Sequence, residues 1–204
     1  MFLRITYVVL ALAVLYLSYD TFQRMQARHA LMAAEDGYLS APADADLTVV
    51  EFLDYSCPHC QSVHPILTEA LRKDGRIRYI PRPVSYLGPE GLYAASVVYA
   101  AGRQGKFMET HEKLIGTYQV LLNNDPLLRD VARELDLDAD ALKTDALSPD
   151  TLKKIRENDH ILKTLAQRGT PTYFIGKKMV YVPEGRLPTV EEFLKMFNEA
   201  RGHE

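Results

Sequence analysis

Cys57-Pro58-His59-Cys60 is where residue types and spacing in this 204-residue chain could do covalent chemistry. They hold its only 2 cysteines, which rules out a disulfide framework and a four-thiolate metal site by arithmetic. The pair follows an apolar run and opens a helical pattern, so Cys57 is expected at a helix N-terminus. There the unpaired backbone N–H groups and the macrodipole favour negative charge. A thiol so placed falls from about 8.5 into the range of roughly 3.5 to 7.5, and a protonated His59 would add attraction. Stabilising the thiolate stabilises the reduced pair, which makes the disulfide form an oxidant. Two blander readings are weaker. A zinc site built from Cys57, Cys60, His59 and His64 would need four ligands within eight residues of one helix. A purely structural disulfide would close a loop too small to constrain the unfolded chain.

The elements that must position this pair can be read around it. Leu47–Tyr55 (LTVVEFLDY) has the Val and Phe content of a buried strand, in which Glu51 does not fit. The stretch from Cys57 to Lys73 reads as a helix interrupted at Pro65, and Arg76–Pro83 as a second strand. From Gly88 to about Gln167 the pattern is helical, with stripes at Leu92, Ala95, Val98, Tyr99 and at Phe107, His111, Leu114, Ile115. Asp125-Pro126 and Ser148-Pro149 mark two further helix starts. Thr172–Ile175 and Lys178–Val182, joined by Gly176-Lys177, read as a hairpin; Thr189 with Glu192 makes a capping box for a last helix.

Strand, Cys-x-x-Cys, helix, strand, a long helical block, then Gly169-Thr170-Pro171-Thr172 before a hairpin and a final helix resembles the thioredoxin fold. The Pro-His dipeptide and the insertion resemble the DsbA-like thiol:disulfide oxidoreductases of the bacterial envelope. The resemblance implies an α/β thioredoxin-like domain over residues 47–87 and 166–204, interrupted by an all-helical subdomain over 88–165. It implies that Cys57 is the exposed nucleophile and Cys60 its buried partner. It also implies that Glu51 is a buried acid beneath the site, its pKa raised by burial so that it can relay a proton to Cys60. Pro65 would kink the active-site helix. Pro171 would be a cis-proline opposite the active site and would bind client together with Pro58 and Thr170, the backbone of Thr170 pairing with an extended client segment. Met108 and Thr110 stand where the family often has aromatics, which would thin the groove. His64, His111 and His160 are expected to be packed or solvated rather than catalytic.

The implied reaction runs through a mixed disulfide with a reduced client protein, with reoxidation by a quinone-linked membrane partner. No cofactor beyond the Cys57–Cys60 disulfide and no metal is implied. Lys plus Arg at 24 against Asp plus Glu at 27 argues against nucleic acid as a partner. Ile5–Tyr19 is an uncharged apolar run, which makes residues 1–20 a signal anchor or signal peptide. No small-residue cleavage site follows closely, which favours an uncleaved anchor in the inner membrane with the catalytic part in the periplasm; cleavage would release a soluble form. Residues 21–46 read as a connector, first helical with a Phe22, Met25, His29, Met32 stripe and then a loop over 36–46. That stripe could pair copies or simply continue the anchor helix, so a monomer or a small homo-oligomer is expected. Two rival functions remain: an isomerase or reductase of the same fold, oligomeric through this stalk, and a non-catalytic envelope chaperone.

Overall fold

Alternation along three strands places every second residue on the same side of one sheet, and the whole molecule is arranged about that division. The computed structural model describes residues 2–34, 38–117, 125–166, 169–183 and 185–202. β1 (Leu47–Leu53) lies parallel to β2 (Ile77–Pro83) and antiparallel to β3 (Thr172–Ile175), which pairs with β4 (Lys178–Tyr181). The order is β2-β1-β3-β4, so β1, which leads into the cysteines, is central. Parallel pairing of β1 and β2 requires a crossover, supplied by α2 (Pro58–Asp74). α8 (Val190–Arg201) packs on the same face, burying Phe193 and Phe197 against Val49, Tyr79 and Tyr173; its Thr189–Glu192 capping box is formed.

Among the described residues five helices separate β2 from β3: α3 (Pro89–Arg103), α4 (Phe107–Thr117), α5 (Asp125–Leu135), α6 (Ala139–Ala146) and α7 (Pro149–Leu165). α3 is their centre, buried along nearly its whole length. Both stripes read from the sequence face this core, with Leu92 only partly covered. Ser148 caps α7, and α5 begins at the Asp-Pro pair. Gln167 lies outside the described residues, as do Asp36 and Gly37 of the expected loop.

Two expectations change. α2 is continuous through Pro65, so the proline neither ends nor interrupts it. Met108 and Thr110 do not thin a groove: Met108 packs between two core clusters, and the buried Thr110 hydroxyl donates to the Lys106 carbonyl at 2.6 Å. The helical part of the expected connector continues the apolar helix. α1 runs unbroken from Phe2 to Met32, and its second half docks on the sheet face opposite α2. The inward residues are Ala27 and Leu31, 4% and 3% exposed, among Val50, Phe52, Ile80, Ile161 and Phe174. Phe22 and Met25, from the stripe read as a pairing face, remain exposed. Small Ala27 lets the helix approach closely, and β2 then fixes its end: the Arg82 guanidinium donates to the carbonyls of Ala30 (2.6 Å), Leu31 and Ala33, and Arg78 to that of Met32 (3.1 Å). These C-terminal carbonyls have no partner within the helix, and a cation there also complements the helix dipole. Farther along, Ser40 forms an isolated antiparallel bridge with Tyr79, covering the free edge of β2.

Candidate active site

β1 ends in a turn held by a buried acid. Asp54 accepts from the Ser56 amide (2.8 Å) and hydroxyl (2.6 Å) and from the Leu87 amide (2.7 Å), tying the start of the cysteine turn to the loop after β2. Gly91 lies so close that a Cβ there would sit 2.1 Å from Asp54 Oδ1. Sequence reasoning passed over Asp54, although an Asp two residues before a Ser at a strand end is an Asx-turn signal.

The turn delivers Cys57 to the N-cap of α2, where its sulfur accepts from the Cys60 amide at 3.3 Å and lies 3.6 Å from the Thr170 carbonyl. Both cysteines are free thiols. The Cys60 thiol and amide donate to the Cys57 sulfur and draw its pKa down to about 6, against burial, which opposes the charge. His59 contributes through its backbone N–H, and its ring lies within 3.2 Å of the Val182 carbonyl. Cys60 is fully buried, and burial pushes its thiol up. Cys57 is itself only 6% exposed, so the expected exposed nucleophile is recessed. It sits at the floor of a groove lined by Pro58, His59, Tyr86, Leu87, Thr170 and Tyr181, of about 550 Å³. The Thr170-Pro171 peptide is cis and places the Thr170 backbone against the sulfur.

Beneath this layer Glu51 is fully buried, and three strands meet on it. Tyr79 donates to Oε2 and Tyr173, its cross-strand partner, to Oε1 at 3.1 Å. Burial raises the pKa of Tyr55, Tyr79 and Tyr173 and keeps their protons in place. Tyr79 has one proton and gives it to Glu51, so its oxygen accepts from His111 Nε2–H at 3.2 Å. His111 Nδ1 is then an acceptor, filled by the Tyr55 hydroxyl at 2.8 Å. Burial pushes the His111 pKa well down, in keeping with a neutral ring of this one tautomer. His64 Nδ1 stands 3.5 Å from Glu51 Oε2, an ion-pair distance rather than a hydrogen bond, and Nε2 donates to Glu112 at 3.1 Å. Its pKa is raised to about 9 by the two carboxylates, which outweigh the burial that opposes its charge.

His64 and His111 are therefore buried, as packed residues would be, but they are part of a polar network that periodicity did not announce; His160 is exposed. Glu51, His64 and His111 have ligand atoms within 4.8 Å of one another. Both His111 nitrogens and both Glu51 oxygens already have protein partners, so the group is better suited to holding protons than an ion. The histidines weighed with the cysteines as zinc ligands diverge, His59 toward Val182 and His64 toward Glu112.

A family model described as thioredoxin matches residues 40–198. The chain belongs to the thioredoxin family. A low-pKa N-cap cysteine and a buried partner occupy its Cys-x-x-Cys. A thioredoxin-like oxidoreductase from Silicibacter pomeroyi is 25% identical with a TM-score of 0.70, covering 83% of this chain and 99% of that one. The thiol-disulfide exchange protein alpha-DsbA2 from Wolbachia pipientis shares the fold, with a TM-score of 0.72 at 22% identity, over 89% of this chain and 97% of that one. Among named sequences, a Na(+)/H(+) antiporter NhaA 3 from Salinispora tropica is 31% identical over 148 residues, 72% of this chain. The chain spans about a fifth of the length of such relatives, 22% in this case and 21% in one from Salinispora arenicola.

Proposed function

We propose that this family member donates the Cys57–Cys60 disulfide to reduced client proteins outside the cytoplasmic membrane, and that α1 holds it there uncleaved. The observation that carries the donation is the N-cap environment of Cys57. A thiolate with a pKa near 6 stabilises the reduced enzyme and so makes its disulfide oxidising. A client thiolate attacks Cys57 Sγ, the S–S bond breaks, and Cys60 leaves with the electron pair and takes up a proton relayed through Glu51. A second client thiolate then attacks the client sulfur of the mixed disulfide, releasing the client oxidised and Cys57 as a thiolate. The Thr170 backbone, beside Cys57 in the groove, is placed to pair with the client strand. Reoxidation falls to a membrane partner.

Anchoring rests on α1. It is long and apolar enough to cross a membrane, with Ile5–Tyr19 exposed along the whole run. Cleavage at the alanine cluster near residues 30–34 would remove Ala27 and Leu31 from the core and strip Arg82 of its acceptors. The same docking draws the expected stalk into its own chain, which favours donation by one copy over an isomerase assembled through that segment.

Equilibrating the full-length protein against glutathione buffers tests the donation. A reduction potential of roughly −120 to −180 mV is expected, and one near −270 mV would overturn the reading in favour of a reductase. For the anchor, a membrane-bound species of full length is expected in cells; a shortened soluble one would refute it.

A further inference from the structure

The polar network beneath the thiols reaches the surface through Glu112, which belongs to the helical insertion. Glu112 on α4 has a side chain 45% exposed and accepts from His64, whose ring is 5% exposed and faces fully buried Glu51 on the other side. α4 thus supplies two groups to an acid that lies on a strand of the thioredoxin-like sheet: His111, through Tyr79, and Glu112, through His64.

We propose that Glu112 is a positioning residue for the thiol chemistry, holding His64 as a cation against Glu51, so that the inserted subdomain sets the proton supply of Cys60. This rests on the reading of Glu51 given above and adds its regulation. The proton balance is simple. When the S–S bond breaks, Cys60 Sγ takes the electron pair and needs one proton. Glu51 hands on the proton that His64 holds at Nδ1, leaving a carboxylate and a neutral imidazole, and the pair regains a proton from solvent. Tyr173 holds the acid in place, its hydroxyl donating to Glu51 at 3.1 Å.

Other groups facing His64 are few. From α4 there is His111, ring centroids 5.0 Å apart; from α2 itself Thr68 Oγ1 at 3.2 Å; from β2 and β3 Tyr79 and Tyr173, through Glu51. Between α8 and α2 the recorded ion pair is Lys73–Glu191, near the far end of α2. Two carboxylates, Glu51 and Glu112, therefore hold the His64 charge, and only Glu112 can be changed without entering the core.

The test is the pH dependence of reduction of the oxidised, full-length protein by dithiothreitol in detergent, normalised to the reagent's thiolate, with the His64 ring titration followed by NMR. In the unchanged protein the rate should fall with a midpoint near 9, where His64 loses its proton. Glu112→Gln should move both midpoints toward acid by about one pH unit, and Glu112→Asp should restore part of the shift. Unmoved midpoints in a folded Glu112→Gln protein overturn the proposal. Glu51→Gln separates the two readings: if it removes the pH step while Glu112→Gln does not move it, only the role of Glu112 fails. If Glu51→Gln leaves the step in place, the Glu51 reading fails and takes this one with it.

Discussion

The two faces of the central sheet carry different cargo. On one, Val49 and Glu51 of β1, Tyr79 of β2 and Tyr173 of β3 lie under α2 and gather polar atoms below the thiols. On the other, Val50, Phe52, Ile80 and Phe174 make an apolar bed for Ala27 and Leu31 of α1. The strands are the same and the residues merely alternate, so the sheet separates chemistry from attachment by a period of two. A buried acid is tolerable on the first face because three groups meet it; an apolar helix needs no such partners on the second.

The largest effect expected on either face is on the first: Cys57→Ser should abolish disulfide donation to a reduced client. It should also remove the iodoacetamide-reactive thiol whose reactivity falls as pH drops through about 6. If alkylation with that midpoint persists, the assignment of the nucleophile is wrong. On the second face Phe52→Ala, at a fully buried site, should lower stability by about 3 to 5 kcal/mol in denaturant titration and leave the alkylation midpoint in place. A shifted midpoint would mean that the faces are coupled.

Between these lies a redox-dependent stability profile. The pKa of His64 is raised to about 9 in the folded protein, so its contribution is complete below the unfolded value near 6.5 and is lost as pH rises through 9. That of Cys57 is lowered to about 6, so its contribution is present above the unfolded value and is lost as pH falls through 6. Only the reduced protein has the second group. Oxidised protein should therefore lose stability from pH 6.5 to 9, on the order of 3 kcal/mol, while reduced protein loses less; parallel profiles would contradict this. Tyr55→Phe, which strands His111 Nδ1 without a donor, should cost about 1 to 3 kcal/mol in the same titration. The smallest effect belongs to Thr170→Val: its buried hydroxyl has no hydrogen-bond partner among the described residues, so thermal unfolding should shift little or slightly upward.

What the sequence determined by itself was whatever depends on neighbours a few residues apart. The N-cap position of Cys57 follows from an apolar run meeting a helix start, and the capping box at Thr189 from a spacing of three. The inward stripes of α3, α4 and α8 follow from helical period, and Glu51 stood out because it breaks a buried strand's composition. The tertiary structure alone decided which long-range partners these groups meet. His64, His111 and Glu112 converge on Glu51 because α4 crosses α2 after a chain excursion that no local period encodes. In the same way the apolar spacing of α1 is compatible with several faces, and the sheet takes up a different one from the Phe22, Met25 stripe. Ala27 and Leu31 were selected by the shape of the bed between β1, β2 and α7 and by Arg82 meeting the helix end. Local patterns say that a residue will be buried; chain closure over tens of residues says against what.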